Sequence, residues 1–237
     1  MAIGRDFSEL ENALGYSFKD ISLIETALTH TSYANELKSK GISYKSNERL
    51  EFLGDAVLQI VISDLLYENF SKYDEGTLTK MRQHLVCQKT LAKIAAEINL
   101  PGYLNVGSGE EATGCRTRPR IMANAIEAVI AAIYKDAIAS GEDYKLPIIK
   151  LFSGKIEEAE NMQKGDYKSI LQKLVEKSGE DTLEYITEEE IGPEHDKTFT
   201  VVAKINSNVV GKGSAGRLKD AQMAAAKMAL SLFGIEV

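Results

Sequence analysis

Residues 47–58 read NERLEFLGDAVL, three carboxylates set into an otherwise apolar run. At a helical increment of about 100° per residue, Glu48, Glu51 and Asp55 fall within an arc of roughly 60°. Leu50, Phe52, Leu53, Val57, Leu58, Ile60, Val61 and Ile62 take most of the remaining circumference, which predicts a largely buried helix over 48–69. Ionised carboxylates beside a buried surface are costly unless something positive compensates them. A solvated seam would meet that need, as would ion pairs to Arg49 or to a distant Lys or Arg, or a bound cation.

A second segment narrows the choice. Residues 121–134 read IMANAIEAVIAAIY, where Glu127 is the only charge and Asn124 lies three residues before it, on the same helical face. Glu51, Asp55, Asn124 and Glu127 therefore sit on two helices that both call for burial, and packing those helices together converges four oxygen-bearing side chains. Hard oxygen ligands without Cys or His suit Mg²⁺ or Mn²⁺ and not zinc or copper. A di-iron bundle would need Glu-x-x-His pairs, which neither helix has.

NERLEFLGDAVL resembles the signature segment of ribonuclease III, the double-stranded RNA endonuclease. The similarity extends to LGYSFKDISLIETALTHTSY (14–33), YDEGTLTKMRQHLV (73–86), the GSGEEATG loop (107–114) and the IMANAIEAVIAAIY helix, nearly all of residues 7–137. The resemblance implies hydrolysis of phosphodiester bonds in double-stranded RNA to 5′-phosphate and 3′-hydroxyl ends, with Mg²⁺ as cofactor and Mn²⁺ able to substitute. It places metal ligation on Glu51, Asn124 and Glu127, with Asp55 completing the catalytic set and Glu127 indispensable. Glu48, Glu75 and Glu110 align with further family acids near the cleft and the dimer seam. Cutting both strands requires two sites, so the resemblance also implies a homodimer, acting on ribosomal RNA precursors, structured messages and transfer RNA precursors. Many family members carry Asp where this chain has Asn124. The amide oxygen still ligates Mg²⁺, but one negative charge is lost; the alternative is a catalytically weakened double-stranded RNA-binding protein.

Composition sets bounds on these expectations. The 237 residues are 44% hydrophobic and 27% charged, ordinary for a globular chain of one large or two modest domains. Thirty-five acids against 28 bases give a formal charge of −7, so any cationic footprint for nucleic acid must be local. Cys87 and Cys115 have no metal-ligand spacing and read as reduced thiols. The start, MAIGRDFSELENAL, lacks an export pattern, and the longest apolar run, Ala128–Tyr134, is far short of a membrane span. A cytoplasmic protein with no membrane partner is expected.

Periodicity predicts helices over 7–14, 21–29, 48–69, 77–86, 89–98, 120–139 and 146–160, and no strand, hence an all-α first domain over 1–153. Residues 154–165 are polar and bounded by glycines, reading as a linker or a fraying helix end. From 166 to 237 the order becomes α-β-β-β-α: a helix over 167–178, strands over 183–189, 198–205 and 209–214, and an alanine-rich helix over 217–233.

That order, with GPEHDKTFTVVAKI and VVGKGSAGRLKDAQMAAAKMAL, is similar to a double-stranded RNA-binding domain. Such a domain reads 2′-hydroxyls in the minor groove and phosphates across the major groove. By resemblance the groove probes map to Gln172 and His195, and the phosphate clamp to Arg217 and Lys219 at the start of the last helix. The family usually opens this helix with adjacent cations, whereas here Leu218 precedes Lys219, leaving Arg217 or Lys212 to supply the second. Gly211–Leu218 nearly matches a phosphate-binding loop, but Arg217 and Leu218 occupy its Lys and Ser/Thr positions, so no nucleotide cofactor is expected.

Overall fold

The computed structural model describes residues 5–177, 179, 181–193 and 196–235. The chain forms two compact units, Met1–Ala159 and Glu160–Val237. No helix among the described residues is long and apolar enough to cross a membrane.

The first unit is helical: α1 (Ser8–Leu14), α2 (Ile21–Ala27), α3 (Thr31–Ser39), α4 (Glu48–Asn69), α5 (Glu75–Val86), α6 (Gln88–Glu97), α7 (Ser108–Ala112), α8 (Pro119–Ser140) and α9 (Lys145–Leu151), followed by α10 (Ser153–Lys164). Local chemistry sets many of the ends. The side chains of Asp20 and Asp74 accept the backbone N–H of Ser22 and Thr77, capping α2 and α5. Pro119 opens α8, and Gly141 closes it at φ 74°.

α8 is the core of the unit. Ala123, Ala125, Ala128, Ala131 and Ala132 are buried, and these small side chains let α2, α4 and α6 pack around it. α4 approaches closest, and Gly54 is the reason: a Cβ there would lie 1.7 Å from the backbone oxygen of Glu127. The two acidic helices thus cross with backbone against backbone at the level of the acids.

The structure departs from the sequence reading in four places. α3 was not predicted, because only Ala34 of its nine residues is buried and the segment lacks an apolar period; His30 caps it, its Nδ1 accepting from the Ser32 N–H. The 107–114 loop contains the short helix α7. The helix predicted over 146–160 breaks at Phe152, which turns inward to complete burial between α9 and α10. The segment 154–165, read as a linker or helix end, is largely taken up by α10.

The expected burial of α4 also needs correction. Leu50, Val57, Leu58, Val61, Ile62 and Leu66 enter the core, but Phe52, Ile60 and Tyr67 are 82%, 61% and 72% exposed. Those three fall within an arc of about 80°. The helix is apolar on both sides, and among the described residues of its own unit only one side is covered.

The second unit contains α11 (Tyr167–Glu176), strands β1 (Leu183–Ile191), β2 (Thr198–Ile205) and β3 (Asn208–Ala215), and α12 (Leu218–Leu232). The strands form one antiparallel sheet in the order β1-β2-β3, with a bulge between Thr187 and Glu189. Both helices contribute to one core containing Leu171, Val175, Ala203, Ala225, Ala226, Ala229 and Leu230. Gly211 and Gly213 let β3 touch α12: Cβ atoms there would lie 2.1 Å and 2.4 Å from backbone atoms of Ala225. The alanine-rich character of α12 follows from this close seat.

Candidate active site

The start of α4 is fixed before its acids are presented. Asn47 is buried; its backbone N–H donates to the Thr29 carbonyl at 2.8 Å and its side-chain amide to the Ala27 carbonyl at 3.3 Å. The same turn takes up residue 105, whose N–H donates to the Leu28 carbonyl at 2.8 Å, while the His30 N–H donates to the Asn105 carbonyl at 3.0 Å. From this anchored start α4 presents Glu48, Glu51 and Asp55. Across the Gly54 contact, α8 presents Asn124 and Glu127.

All five side chains line one open cleft of about 710 Å³, together with His30, Glu110, Arg118 and Arg120. Glu51 and Glu127 are half-buried, whereas Glu48 and Asp55 are exposed. Among the described residues the Asp55 carboxylate has only a long contact, 3.4 Å from the Gln59 amide, and Glu48 accepts from the Ser46 hydroxyl at 3.0 Å. Among the described residues no Lys or Arg forms an ion pair with Glu51, Asp55 or Glu127, so the pairing alternative, Arg49 included, is not realised.

Electrostatics records that lack of compensation. Burial pushes the Glu127 carboxyl up to about 7, and the charges of Asp55 and Glu51 add to the rise. Burial also raises Glu51, and Glu48 pushes the same way; a hydrogen bond from Asn124 and the positive charge of Arg120 oppose it. An Asp at 124 would repel Glu51, whereas the amide steadies it. A carboxyl pushed up by burial and further by like charges, facing a polar cleft, is a group a cation would relieve.

The donor set also fits a hard cation: oxygen only, from two carboxylates, an amide and the exposed Asp55. Among the described residues no three His, Cys, Asp or Glu side chains are drawn into a metal-sized group. The convergence counts an amide, and without a cation the acids repel one another.

Other predicted site residues divide. Glu110 lines the cleft and is held at 3.0 Å by Arg118, whose guanidinium also donates to the Thr113 hydroxyl at 2.7 Å. Glu75 does not line the cleft; it lies in a separate groove with Ile60, Tyr67 and Arg82, beside the exposed stripe of α4. In the second unit Gln172 is exposed and donates to Glu176 at 2.9 Å. Arg217 and Lys219 are exposed at the start of α12, with Arg217 at 2.9 Å from Asp220. His195 lies outside the described residues. Lys212, a possible replacement for the missing family cation, is engaged by Glu188 at 2.9 Å.

Sequence reasoning missed Asn47, Gly54, Arg118 and Arg120. Gly54 had a signal, since an isolated glycine inside an apolar helix marks close approach. Asn47 and the arginines had none, because their roles depend on segments distant in sequence.

Two family models match the chain: "Ribonuclease-III-like" over residues 20–143 and "Double-stranded RNA binding motif" over residues 167–232. Ribonuclease 3 of Natranaerobius thermophilus is 42% identical over 225 residues, covering 95% of each chain. Ribonuclease 3 of Caldanaerobacter subterraneus subsp. tengcongensis is 43% identical over 227 residues, covering 95% of this chain and 97% of its own. Among solved structures, the nuclease domain of ribonuclease III from Campylobacter jejuni is 38% identical, with a TM-score of 0.56, covering 64% of this chain and 97% of that one. A helical unit carrying converged acids, followed by an α-β-β-β-α unit, agrees with both matches in order and extent, and the chain belongs to the ribonuclease III family of metal-dependent double-stranded RNA endoribonucleases.

Proposed function

We propose that the cleft between α4 and α8 is where the chain hydrolyses duplex RNA, with Mg²⁺ held by Glu51, Asn124 and Glu127 and with Mn²⁺ able to replace it. The observation that carries this reading is the convergence of Glu51, Asp55, Asn124 and Glu127 on one cleft with no cation among the described residues in an ion pair with the three acids. Held by Glu51, Asn124 and Glu127, Mg²⁺ would supply an activated water and neutralise charge on the leaving 3′-oxygen.

The residues of the chain prepare that event. With its carboxyl pushed up to about 7 by burial, Glu127 is partly protonated near neutrality, so a cation would displace that proton and its affinity would rise with pH. Asn124 lowers the Glu51 carboxyl from across the cleft and would turn its amide oxygen toward the cation to act as a ligand. Asp55, exposed at the cleft, is placed to accept a proton from the attacking water. Glu48 and Glu110 flank the opening. Products carry 5′-phosphate and 3′-hydroxyl ends.

Residues 1–153 perform the chemistry, and residues 166–237 grip the duplex through Gln172, His195, Arg217 and Lys219. The Arg217–Asp220 and Lys212–Glu188 pairs hold cations that RNA must recruit, which favours weak, salt-sensitive binding. The exposed stripe Phe52–Ile60–Tyr67 is the homodimer seam, with Glu75 beside it. A second Campylobacter jejuni ribonuclease III nuclease-domain structure, 38% identical with a TM-score of 0.55, is described as having a flexible region involved in dimer formation. The substrates are ribosomal RNA precursors, structured messages and transfer RNA precursors in the cytoplasm.

The test is cleavage of labelled duplex RNA with Mg²⁺ by the parent chain and by Glu127→Gln. The parent cuts and the variant binds without cutting. Cutting by Glu127→Gln at the parental rate overturns the site.

A further inference from the structure

Arg120 stands where its helix gains nothing from it. It follows Pro119 in the first turn of α8, where the helix dipole disfavours a cation. The neighbouring arginines are engaged. Arg118 holds Glu110 and the Thr113 hydroxyl, and Arg116 holds Glu111 at 2.8 Å together with the Pro101 carbonyl. Arg120 is exposed, lines the cleft, and among the described residues has no carboxylate within ion-pair distance. Its charge reaches Glu51. It lies four residues before Asn124 and so shares its face, one helical turn or about 6 Å along the axis.

The cleft presents five carboxylates, Glu48, Glu51, Asp55, Glu110 and Glu127. A phosphate backbone entering it meets repulsion, and Arg118 is already occupied by Glu110. A free guanidinium one turn from the cation ligands, a distance comparable with the step between neighbouring nucleotides, has a polyanion to bind. We propose that Arg120 is a substrate-positioning residue, donating its guanidinium to a phosphate of the strand being cut, next to the phosphate over Glu51, Asn124 and Glu127. This rests on the cleft being the place of cleavage.

The same charge opposes a cation at Glu51, so removing it acts with opposite sign on the two ligands. Arg120→Ala weakens duplex binding and tightens metal binding. A merely structural role has no reason to split in this way.

The experiment uses the full chain and two readouts: duplex RNA binding across a KCl series with Ca²⁺ in place of Mg²⁺, and Mn²⁺ binding without RNA by electron paramagnetic resonance. For Arg120→Ala the slope of log affinity against log salt falls in magnitude by about 0.9, the loss of one phosphate contact. Mn²⁺ binds about threefold tighter, the effect of one screened charge some 6 Å away. Arg120→Lys keeps slope and Mn²⁺ affinity but raises KM, because a point charge lacks the guanidinium fork. If the alanine variant is poorly folded, Arg120→Gln carries the same two expectations. An unchanged salt slope, or an unchanged Mn²⁺ affinity, overturns the proposal. Glu127→Gln separates the two levels: if it cuts RNA, the cleft assignment fails, whereas an inert Glu127→Gln beside an unaltered Arg120→Ala removes Arg120 alone.

Discussion

Gly54→Ala adds one methyl group and, on helix propensity alone, should stabilise α4 by roughly 1 kcal/mol. The structure demands the opposite. The new Cβ would sit 1.7 Å from the Glu127 carbonyl oxygen, and that obstacle is backbone, which has no rotamer to yield. Restoring ordinary contact separates α4 from α8 locally by about 1.5 Å, and overpacking of this kind costs about 1–3 kcal/mol. For a chain of this size that lowers Tm by about 3–10 °C. The displacement falls between Glu51 and Asp55 on one side and Asn124 and Glu127 on the other. Misplacement of about 1 Å at a reacting centre costs about a hundredfold in rate, so single-turnover cleavage of duplex RNA in saturating Mg²⁺ should fall at least that far. Duplex binding in Ca²⁺ should stay within about twofold, because the RNA-binding unit has its own core. A variant that melts at or above the parental temperature and cuts within threefold of the parental rate would refute the reasoning.

Other expected outcomes follow from single observations. Asn124→Asp restores a negative charge, so apparent Mg²⁺ affinity rises about three- to tenfold in a cleavage titration; unchanged affinity would mean that position 124 does not face the ion. Asp136 is 2% exposed and accepts from the Tyr16 hydroxyl and the N–H groups of Lys19 and Asp20 at 2.8–2.9 Å. Burial pushes its carboxyl up, but those three donors outweigh burial and hold it below the usual carboxylate range. A carboxyl lower in the folded than in the unfolded chain contributes stability above about pH 4, lost as pH falls through its folded value. Asp136→Asn should therefore lower stability at neutral pH by about 2–3 kcal/mol and flatten the acid limb of a melting-temperature profile. Phe52→Glu should convert a dimer into monomers in sedimentation, since it places a charge in the exposed stripe of α4; a dimer that persists would assign the stripe another role.

Much of this was legible because the decisive features are local. α4 occupies the predicted residues, 48–69, because a long apolar run carries the helical period there. The α-β-β-β-α order was readable from the change of period and the turns at Gly192-Pro193 and Asn206–Asn208. Glu51, Asp55, Asn124 and Glu127 could be gathered because each is polar on an apolar helix. What escaped depends on distant partners. α3 owes its position to the His30 cap and to Glu36, which accepts from Ser108 at 2.8 Å, and not to an apolar period of its own. The exposure of Phe52 and Ile60 is invisible in a periodicity that does not say which apolar face meets the chain itself. For Glu75 the resemblance named the cleft and the dimer seam together, and only the placement of α5 puts it in the groove with Ile60 and Tyr67.

The central claim is that α4 and α8 together hold a hard divalent cation. Its most direct measurement is anomalous diffraction from crystals of the full chain soaked in Mn²⁺ above pH 7, where Glu127 is ionised. The account predicts a peak within about 2.0–2.5 Å of oxygens from Glu51, Asn124 and Glu127 together, lost in Glu127→Gln. A Mn²⁺ peak elsewhere with that cleft empty, or a peak that Glu127→Gln leaves in place at full occupancy, would contradict it.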